Sequence, residues 1–296
     1  MTANTYPALF TAFFANFILG ASSIYWHLFE EISSITLVIY RVIFSFIVLC
    51  FAIPLLRKIG AIDKPKLSTH LIAIHTVAAV LVAINWGVFI WSSLHGSVLE
   101  SGIGYLLAPV LVIVFGILFG NKKKSTIQTF CIAIIAIALI ALIVSNNRLE
   151  HWVYWSIGVT WGSYTLLKRR SKTSPINGIF IETAVLLAMI PAIFTLMSPE
   201  SFTPSLSFFS SHPWLLAAGL VSVVPLVMFA FAASKLSAYS MGALQFVLPS
   251  TQLAVSAFYY RQEIPNATYM CFAVIWLALV LTTFWEPLKA GLHRDT

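Results

Sequence analysis

Long apolar segments alternate with short polar connectors along the whole chain. Segments of roughly 17–25 mostly apolar residues have the length of an α-helix that crosses a bilayer. The weakest example here is 151–168, which is short and rich in aromatic and small residues. The pattern predicts an all-α integral membrane protein with ten transmembrane helices, at about 6–26, 34–56, 69–93, 98–119, 126–145, 151–168, 177–198, 213–233, 239–260 and 266–287.

The composition agrees with a membrane protein and excludes a water-soluble one. Hydrophobic residues make up 59% of the 296 residues and charged residues 9%, against roughly 25% charged residues in soluble proteins. The net charge of +7 does not indicate nucleic-acid binding, because the charges lie in the connectors rather than on one face. Three cysteines inside apolar segments lack metal-ligand spacing and are predicted to be reduced packing residues: Cys50, Cys131 and Cys271.

The positions of Lys and Arg predict how the chain is oriented. Cytoplasmic connectors carry an excess of these residues. With the N-terminus inside, all 17 Lys and Arg residues fall on the inner side except Arg148 and Arg261, which fall outside, and Arg41, which falls within a segment. We therefore predict a multi-pass membrane protein with both termini in the cytoplasm.

The chain repeats its plan in two halves, 1–146 and 147–296, of five predicted helices each. A shift of about 140 residues superposes Pro109 on Pro249, Gly102 on Gly242 and Cys131 on Cys271. Two copies with an odd number of helices enter the membrane from opposite sides, and such inverted repeats are common in secondary transporters. Proline removes a helical hydrogen bond and bends a helix, so we assign Pro109 and Pro249 as hinges around a central cavity.

Two small-residue motifs predict helices in close contact. Glycines four residues apart lie on one face of a helix and let a neighbouring backbone approach. The motifs are Gly116-x-x-x-Gly120 and Gly158-x-x-x-Gly162. Both are common patterns and indicate packing rather than a function.

Two charged side chains are predicted to lie well inside the membrane: Arg41, in the second segment, and Glu182, in the second segment of the second half. A charge at this depth costs a few kcal/mol, so it is expected to face a cavity or a partner. The planar fork of Arg41 could grip a carboxylate, either of a solute or of the protein itself. Glu182 could hold an ammonium group, bind a coupling proton or cap an inner gate. The alternative for both is a structural tie to backbone or to lipid headgroups.

Polar and aromatic residues inside the predicted helices are candidates for lining a solute site. Asn and Gln in lipid often form hydrogen bonds that serve only helix packing, and Trp and Tyr are common at membrane interfaces. For any one of these residues, packing is the better explanation. Together they would form an amphipathic wall that suits a small organic molecule; the candidates are Asn85, Trp86, Tyr105, Tyr164 and Gln245.

Motifs of several enzyme classes are missing from the sequence. It contains no G-x-x-x-x-G-K-[ST] phosphate loop and neither H-E-x-x-H nor G-x-S-x-G. We therefore predict no ATP motor, no catalytic residues, no cofactor and no metal. His75, inside the third segment, could relay protons, but a packed, neutral histidine is the commoner arrangement.

Five stretches make the chain resemble a known family: "YRVIFSF", "NWGVFIW", "LESGIGYLLAPVL", "IETAVLL" and "GALQFVLPS". From about residue 8 to residue 285 it resembles the RarD-type branch of the EamA group in the drug/metabolite transporter superfamily. The resemblance implies an inner-membrane carrier with a cavity lined by the first four helices of each half and a peripheral fifth helix. It also implies movement of small metabolites or drugs, often related to amino acids and often outward. The matching positions are Arg41, Asn85, Trp86, Glu100, Tyr105, Glu182, Gln245 and Pro249.

The first segment departs from the family pattern. Members commonly carry a lysine seven residues after the glycine of this segment, whereas here Gly20 is followed by His27. If that lysine contacts solute or gate in relatives, solute choice or pH response could differ in this chain. We assign His27 and Glu100 to gating.

The predicted function is a secondary transporter, either an exporter or an exchanger, that works by alternating access. Its solute would be a small polar or amphipathic metabolite such as an amino acid, with its anionic end toward Arg41. The solute's own gradient, exchange, or a proton gradient sensed by Glu182 or His27 could drive the cycle. A membrane enzyme acting on a lipid or isoprenoid carrier and a non-transporting receptor stay as alternatives. The expected partners are the solute and the bilayer, without nucleic acid, and a homodimer stays open.

Overall fold

The computed structural model describes residues 5–118, 126–146, 149–168, 171, 173–196, 206–233, 235–236 and 244–278. Within these residues the chain is helical and has no β-strand. A short 3₁₀-helix, Pro213–Ala217, leads into α9. The α-helices are α1 (Thr5–His27), α2 (Ser34–Lys58), α3 (Thr69–Leu94), α4 (Val98–Leu118), α5 (Thr126–Val144), α6 (His151–Lys168), α7 (Pro175–Leu196), α8 (Leu206–Ser211), α9 (Ala218–Ala233), α10 (Val247–Phe258) and α11 (Asn266–Ala278).

The helices coincide with the predicted segments. Within the described residues each of the ten predicted segments contains a helix, so the all-α prediction is confirmed there; parts of several segments, such as 239–243 and 279–287, lie outside the described residues. Four helices there are long and apolar enough to cross a membrane: Tyr6–His27, Ser34–Lys58, Thr69–Leu94 and Pro175–Thr195. Large apolar side chains lie on the outside of the bundle, as Phe51 does with 79% of its surface exposed. Such a surface suits a multi-pass membrane protein and would favour aggregation in water.

Local sequence signals set the ends of α2 and α3. Ser33 and Ser68 precede the two helices, and their hydroxyls accept hydrogen bonds from the backbone N–H three residues on, at 3.3 and 3.2 Å. These N-caps satisfy donors that a helix start leaves unpaired. Beyond the other ends, Gly60 and Gly96 adopt φ angles of 70° and 73°, which glycine tolerates without strain. Arg41 lies between the two ends of α2, and His75 lies between those of α3.

Helices from the two halves of the chain interleave. α1 packs against α9 and α10, and α6 packs against α3 and α4. α2 contacts α7 and α9, α3 contacts α7, and α4 contacts α10. α5 and α11 contribute to one apolar cluster that also contains residues of α4. The interior of the bundle is therefore built by helices of both halves, and the candidate site residues lie on these helices.

Glycines let α4 and α6 pack closely. A Cβ added at Gly104 of α4 would lie 2.7 Å from Cβ of Ile157, and the facing Gly158 of α6 is similarly tight, with 2.9 Å to the nearest α4 atom. The close contact predicted for Gly158-x-x-x-Gly162 is therefore confirmed. The motif Gly116-x-x-x-Gly120 lies outside the residues whose side chains are described.

We expect Gly104→Ala to destabilise the protein by about 1–3 kcal/mol, the usual cost of overpacking a tight interface. The added methyl group would meet the backbone and a branched side chain of α6, which cannot move aside easily. Gly87→Ala is the matched control, because the nearest atom to an added Cβ there is 3.9 Å away. Thermal unfolding in detergent should show a lower melting temperature for Gly104→Ala alone, and equal melting temperatures would contradict the close packing.

Candidate functional site

Arg41 lies between two indole rings inside the bundle. The residue is 4% exposed. Its guanidinium carbon is 4.0 Å from the centre of the Trp86 ring and 5.3 Å from that of Trp26. A cation over an indole face gains roughly 0.5–2 kcal/mol, with the larger values at desolvated sites. The nearest partners of this intramembrane charge are therefore aromatic rings contributed by α1 and α3.

The hydrogen-bond donors of this cluster are largely unused by the described residues. Nε and Nη1 of Arg41 are buried without a partner, and so is the indole Nε1 of Trp26. None of the ion pairs among the described residues involves the guanidinium. A buried unpaired charge is costly, and charged N–H groups form their strongest hydrogen bonds with anionic acceptors. The arrangement is complementary to a carboxylate held beside an aromatic ring.

Asn85 joins three helices next to this cluster. Its Oδ1 accepts a hydrogen bond from the Tyr105 hydroxyl at 2.9 Å, and its Nδ2 donates to Oγ1 of Thr160 at 3.2 Å. Nδ2 also donates to the backbone oxygen of Ile157 at 3.4 Å. Asn85 is fully buried, and both ends of its amide are engaged within the protein. Its hydrogen bonds orient Tyr105 and hold α3, α4 and α6 together at this level.

A row of aromatic rings extends from this cluster along α6. Tyr105 meets Trp161 edge-on, with 5.8 Å between ring centres, and Trp161 stacks on Tyr164 at 5.3 Å. All three are only partly buried. The row is an amphipathic wall, with flat apolar faces and a hydroxyl group at each end.

Glu182 is at the centre of a buried hydrogen-bond network. Its Oε1 lies 2.7 Å from Nδ1 of His75 and 2.8 Å from Nζ of Lys168, and its Oε2 accepts a bond from the Tyr164 hydroxyl at 2.9 Å. Nε2 of His75 is 3.1 Å from Oγ of Ser171. His75 is 0% and Glu182 2% exposed. One carboxylate thus ties α3, α6 and α7 together.

Two members of this network were not predicted as site residues. Lys168 was interpreted from the sequence as a topology charge, and His75 as a packed histidine. The sequence did contain a signal that connects His75 with the site residues. His75 precedes Trp86 by eleven residues, about three helical turns, so both lie on one face of α3. Glu182 was predicted to hold an ammonium group, bind a coupling proton or cap an inner gate, with a structural tie to backbone or to lipid headgroups as the alternative; its contacts with His75 and Lys168 were not predicted. Its role in solute binding stays a prediction.

Contacts at the opposite end of the bundle join α1, α3 and the segment after α10. The Tyr260 hydroxyl donates to the backbone oxygen of Ser93 at 2.6 Å. His27 packs against Tyr260 with 5.0 Å between ring centres, and its Nε2 lies 3.7 Å from Oε2 of Glu30. We call this end the His27 end, and the end that holds the buried network the Glu182 end.

Glu100 also lies at the His27 end, in the first turn of α4. Its Oε1 accepts a hydrogen bond from the backbone N–H of Glu150 at 3.4 Å, and its Oε2 is buried without a partner. Gln252, on α10, donates to Oγ of Ser101 at 3.0 Å. Gln245 is half-buried in the helical turn before α10, apart from these contacts. The gating role of Glu100 and the binding role of Gln245 stay predictions.

The two predicted hinge prolines occupy different positions. Pro249 was expected inside a helix covering 239–260, but α10 begins at Val247 after a turn at Phe246. Pro249 therefore lies in the first helical turn, where a missing N–H breaks no regular helical hydrogen bond. Pro109 is within α4, and its side chain lies outside the described residues. The hinge role of both prolines stays a prediction.

Several known proteins are similar in sequence to this chain over most of its length. No protein-family model matches the sequence. The uncharacterized transporter YojE of Bacillus subtilis is 30% identical over 271 residues, which cover 90% of this chain and 89% of that protein. RarD of Escherichia coli K12 is 26% identical over 287 residues, 94% of each chain. RarD of Streptomyces exfoliatus is 26% identical over 273 residues, covering 92% of this chain and 86% of that protein.

Proposed function

Since the chain belongs to the RarD-type family of membrane transporters, we propose that it moves a small carboxylate-bearing metabolite across the cell inner membrane by alternating access. The solute is polar or amphipathic, as an amino acid is, and the cycle is export or exchange. The observation that carries the proposal is the buried guanidinium of Arg41, which is stacked on Trp86 and has N–H groups without an acceptor.

The carboxylate of the solute binds Arg41. The guanidinium presents N–H groups in a planar fork that matches the two oxygens of a carboxylate. Nε and Nη1 of Arg41 and Nε1 of Trp26 are all buried without a partner, and the guanidinium carbon is 5.3 Å from the centre of the Trp26 ring, so an acceptor bound in this cluster compensates several donors at once. Because this charge is already out of water, the solute gains the hydrogen bonds without a further cost for dehydrating the arginine.

The apolar part of the solute packs along the aromatic row. Trp86 stacks on Arg41, and the adjacent Asn85 accepts a hydrogen bond from Tyr105. From Tyr105 the row continues through Trp161 and Tyr164 toward the Glu182 end. Aromatic faces contribute large contact areas with little loss of side-chain freedom. The wall therefore favours a molecule with a flat or apolar body and one anionic end over a small inorganic anion.

The two halves, residues 1–146 and 147–296, form an inverted repeat in this proposal. Support comes from reciprocal packing, because α1 contacts α9 and α10 while α6 contacts α3 and α4. Arg41 and Glu182 each lie seven residues after the first residue of their helices, α2 and α7. An inverted repeat places such equivalent positions toward opposite membrane faces.

The two ends of the bundle open in turn. The excess of Lys and Arg in the connectors supports a cytoplasmic position for the Glu182 end and both termini, with the His27 end outside. Each end is held by side-chain hydrogen bonds, through Tyr260 to Ser93 at the outer end and through the Glu182 network at the inner end. We assign His27, Glu100 and Tyr260 to the outer gate.

A thermal-shift screen of the detergent-purified protein against amino acids, organic acids and nucleosides tests the solute class. A ligand that binds only the folded state raises the melting temperature by mass action. We expect amphipathic carboxylates to raise it and their carboxamide counterparts, which lack the charge, to leave it unchanged. Compounds that bind are then measured as radiolabelled counterflow in vesicles that contain the protein.

The outcomes of this screen separate the function classes. Stabilisation that does not depend on the carboxylate contradicts the Arg41 site. Binding without counterflow favours a receptor, and turnover of labelled lipid without counterflow favours an enzyme.

A further inference from the structure

Lys168 places its ammonium group in a small space beside Glu182. Its Nζ donates to Oε1 of Glu182 at 2.8 Å and lies 5.6 Å from the centre of the Tyr164 ring. A Cβ added at Gly178, one helical turn before Glu182 on α7, would overlap Nζ and would lie 2.8 Å from Cε1 of His75. The missing side chain at Gly178 therefore leaves a space that an ammonium group fills.

We propose that this space is a binding site for an ammonium group of the solute, and that Lys168 occupies it as an internal substitute when no solute is bound there. The proposal deepens the proposed function, on which its account of transport rests: the transported molecule carries a primary ammonium group as well as a carboxylate. The site consists of Oε1 of Glu182, the ring of Tyr164 and the space left by Gly178. We call it the ammonium site.

The ammonium site matches a primary ammonium group in charge and in hydrogen bonding. Hydrogen bonds from a charged N–H donor to a carboxylate are among the strongest in proteins, and the faces of aromatic rings attract cations. Glu182 is 2% exposed, and a carboxylate buried to this degree requires a positive partner. An ammonium group of the solute can replace that of Lys168 without changing the net charge around Glu182.

Lys168 can leave the site at the loss of few contacts. Within the part of the chain that the structure describes, Nζ has one hydrogen-bond acceptor, Oε1 of Glu182. Lys168 is the last residue of α6, and 19% of its side-chain surface is exposed, so its ammonium group is close to water. His75 and the Tyr164 hydroxyl keep their bonds to the carboxylate during the exchange. The exchange removes one of the hydrogen bonds that join α6 to α7.

Competition with Lys168 determines which amines bind. A tethered group has a high effective concentration at its own site, so a small free amine displaces Lys168 poorly. A solute with a flat or apolar body gains additional contact with the rings of Tyr164 and Trp161, which stack with 5.3 Å between their centres. The site therefore selects amphipathic amines over methylamine or the ammonium ion.

The ammonium site and Arg41 lie at different depths in the bundle. His75 of α3 contacts Glu182, the carboxylate of the ammonium site. Trp86, on the same helix, stacks on Arg41. The two α3 residues are eleven positions apart, which corresponds to about 16 Å along the helix axis. An α-amino acid, whose two charged groups are joined through one carbon atom, therefore occupies the two sites in sequence, and on the way out it meets the ammonium site first.

The probe for this site is 2-phenylethylammonium, which has an aromatic ring and a primary ammonium group but no carboxylate. We expect a saturating concentration to raise the melting temperature of detergent-purified Lys168→Met by about 3 °C or more, because this variant leaves Glu182 without its counter-ion. The parent protein should need at least about tenfold more probe for the same shift, since Lys168 competes for the site. The neutral counterpart 2-phenylethanol should stabilise neither protein.

Further variants show where the probe binds. Adding Glu182→Gln to Lys168→Met removes the carboxylate, and adding Gly178→Ala to Lys168→Met fills the space, so each double variant should lose the shift. Lys235→Met, which removes an exposed connector lysine, is the matched control and should respond like the parent. Lys168→Gln keeps an N–H donor for Glu182 and takes the place of Lys168→Met if that variant does not fold.

A shift in Lys168→Met that needs as much probe as in the parent would overturn the ammonium site. So would an equal shift with 2-phenylethanol, or a shift that persists after Glu182→Gln is added. The probe has no carboxylate and the measurement requires no transport. A negative result here therefore leaves the Arg41 site standing, and a negative carboxylate screen leaves the ammonium site intact.

Discussion

Replacing Arg41 with methionine is expected to raise the stability of the solute-free protein and to weaken carboxylate binding strongly. Burying a charge without a counter-ion costs several kcal/mol, whereas the stacking on Trp86 returns only about 1–2 kcal/mol. The unbranched methionine side chain can fill the space between the indoles of Trp26 and Trp86. The free energy of unfolding should therefore increase by about 1–3 kcal/mol.

The same substitution removes the charged donors that the solute requires. Truncating one partner of a buried charge pair costs about 2–5 kcal/mol, so affinity should fall roughly 100-fold and counterflow should disappear with it. Arg41→Lys keeps the charge but loses the fork, and we expect intermediate binding. Arg261→Met, at an exposed connector position, is the matched control and should change neither property. Counterflow at the parental rate in Arg41→Met would rule out the binding role.

Glu182→Ala is expected to be the most destabilising of the substitutions considered. It leaves Lys168, His75 and the Tyr164 hydroxyl without their shared acceptor, and breaking a buried ion pair from one side costs about 3–5 kcal/mol. The effect should appear as a large fall in melting temperature of the detergent-purified protein. Glu31→Ala, which removes an exposed carboxylate, should have little effect.

A double-mutant cycle separates the ion pair from general packing. Adding Lys168→Met to Glu182→Ala removes the charge that the first substitution left unpaired, so part of the lost stability should return. His75 and Tyr164 still lack an acceptor, and recovery is therefore incomplete. Strictly additive losses would show that Lys168 and Glu182 do not stabilise each other in the folded protein.

Arg41→Met and Glu182→Ala are expected to change the stability in opposite directions, although each removes a charge inside the membrane. Arg41 has aromatic neighbours and unused donors, so its charge destabilises the solute-free state and contributes to binding. Glu182 has hydrogen-bond partners on both oxygens, so its charge stabilises the closed bundle. The sequence shows one charge in each second helix and cannot distinguish these cases, because the distinction depends on partners from other helices. These partners lie between 14 positions away, as Lys168 does from Glu182, and 107 positions away, as His75 does.

The length of the apolar segments and the overall composition were sufficient to predict the helical segments and the membrane class, and the quoted stretches the transporter family. These properties follow from local composition, since a bilayer requires about 20 apolar residues for each crossing helix whatever its neighbours are. The close contact at Gly158-x-x-x-Gly162 was also predictable, because small residues act through backbone approach. Even Arg41 and Glu182 could be singled out, because a charge among apolar residues is unusual in any fold.

Only the tertiary structure decided what those charges contact. His75 and Lys168 became partners of Glu182 because α3, α6 and α7 meet at one end of the bundle, and Trp26 and Trp86 enclose Arg41 because α1 and α3 flank α2 at that depth. Pro249 entered the first turn of α10 instead of its interior because the helix begins at Val247. Hydrogen bonds and ring contacts act over a few ångströms, so they depend on how distant segments pack, whereas the crossing of a membrane depends on each segment alone.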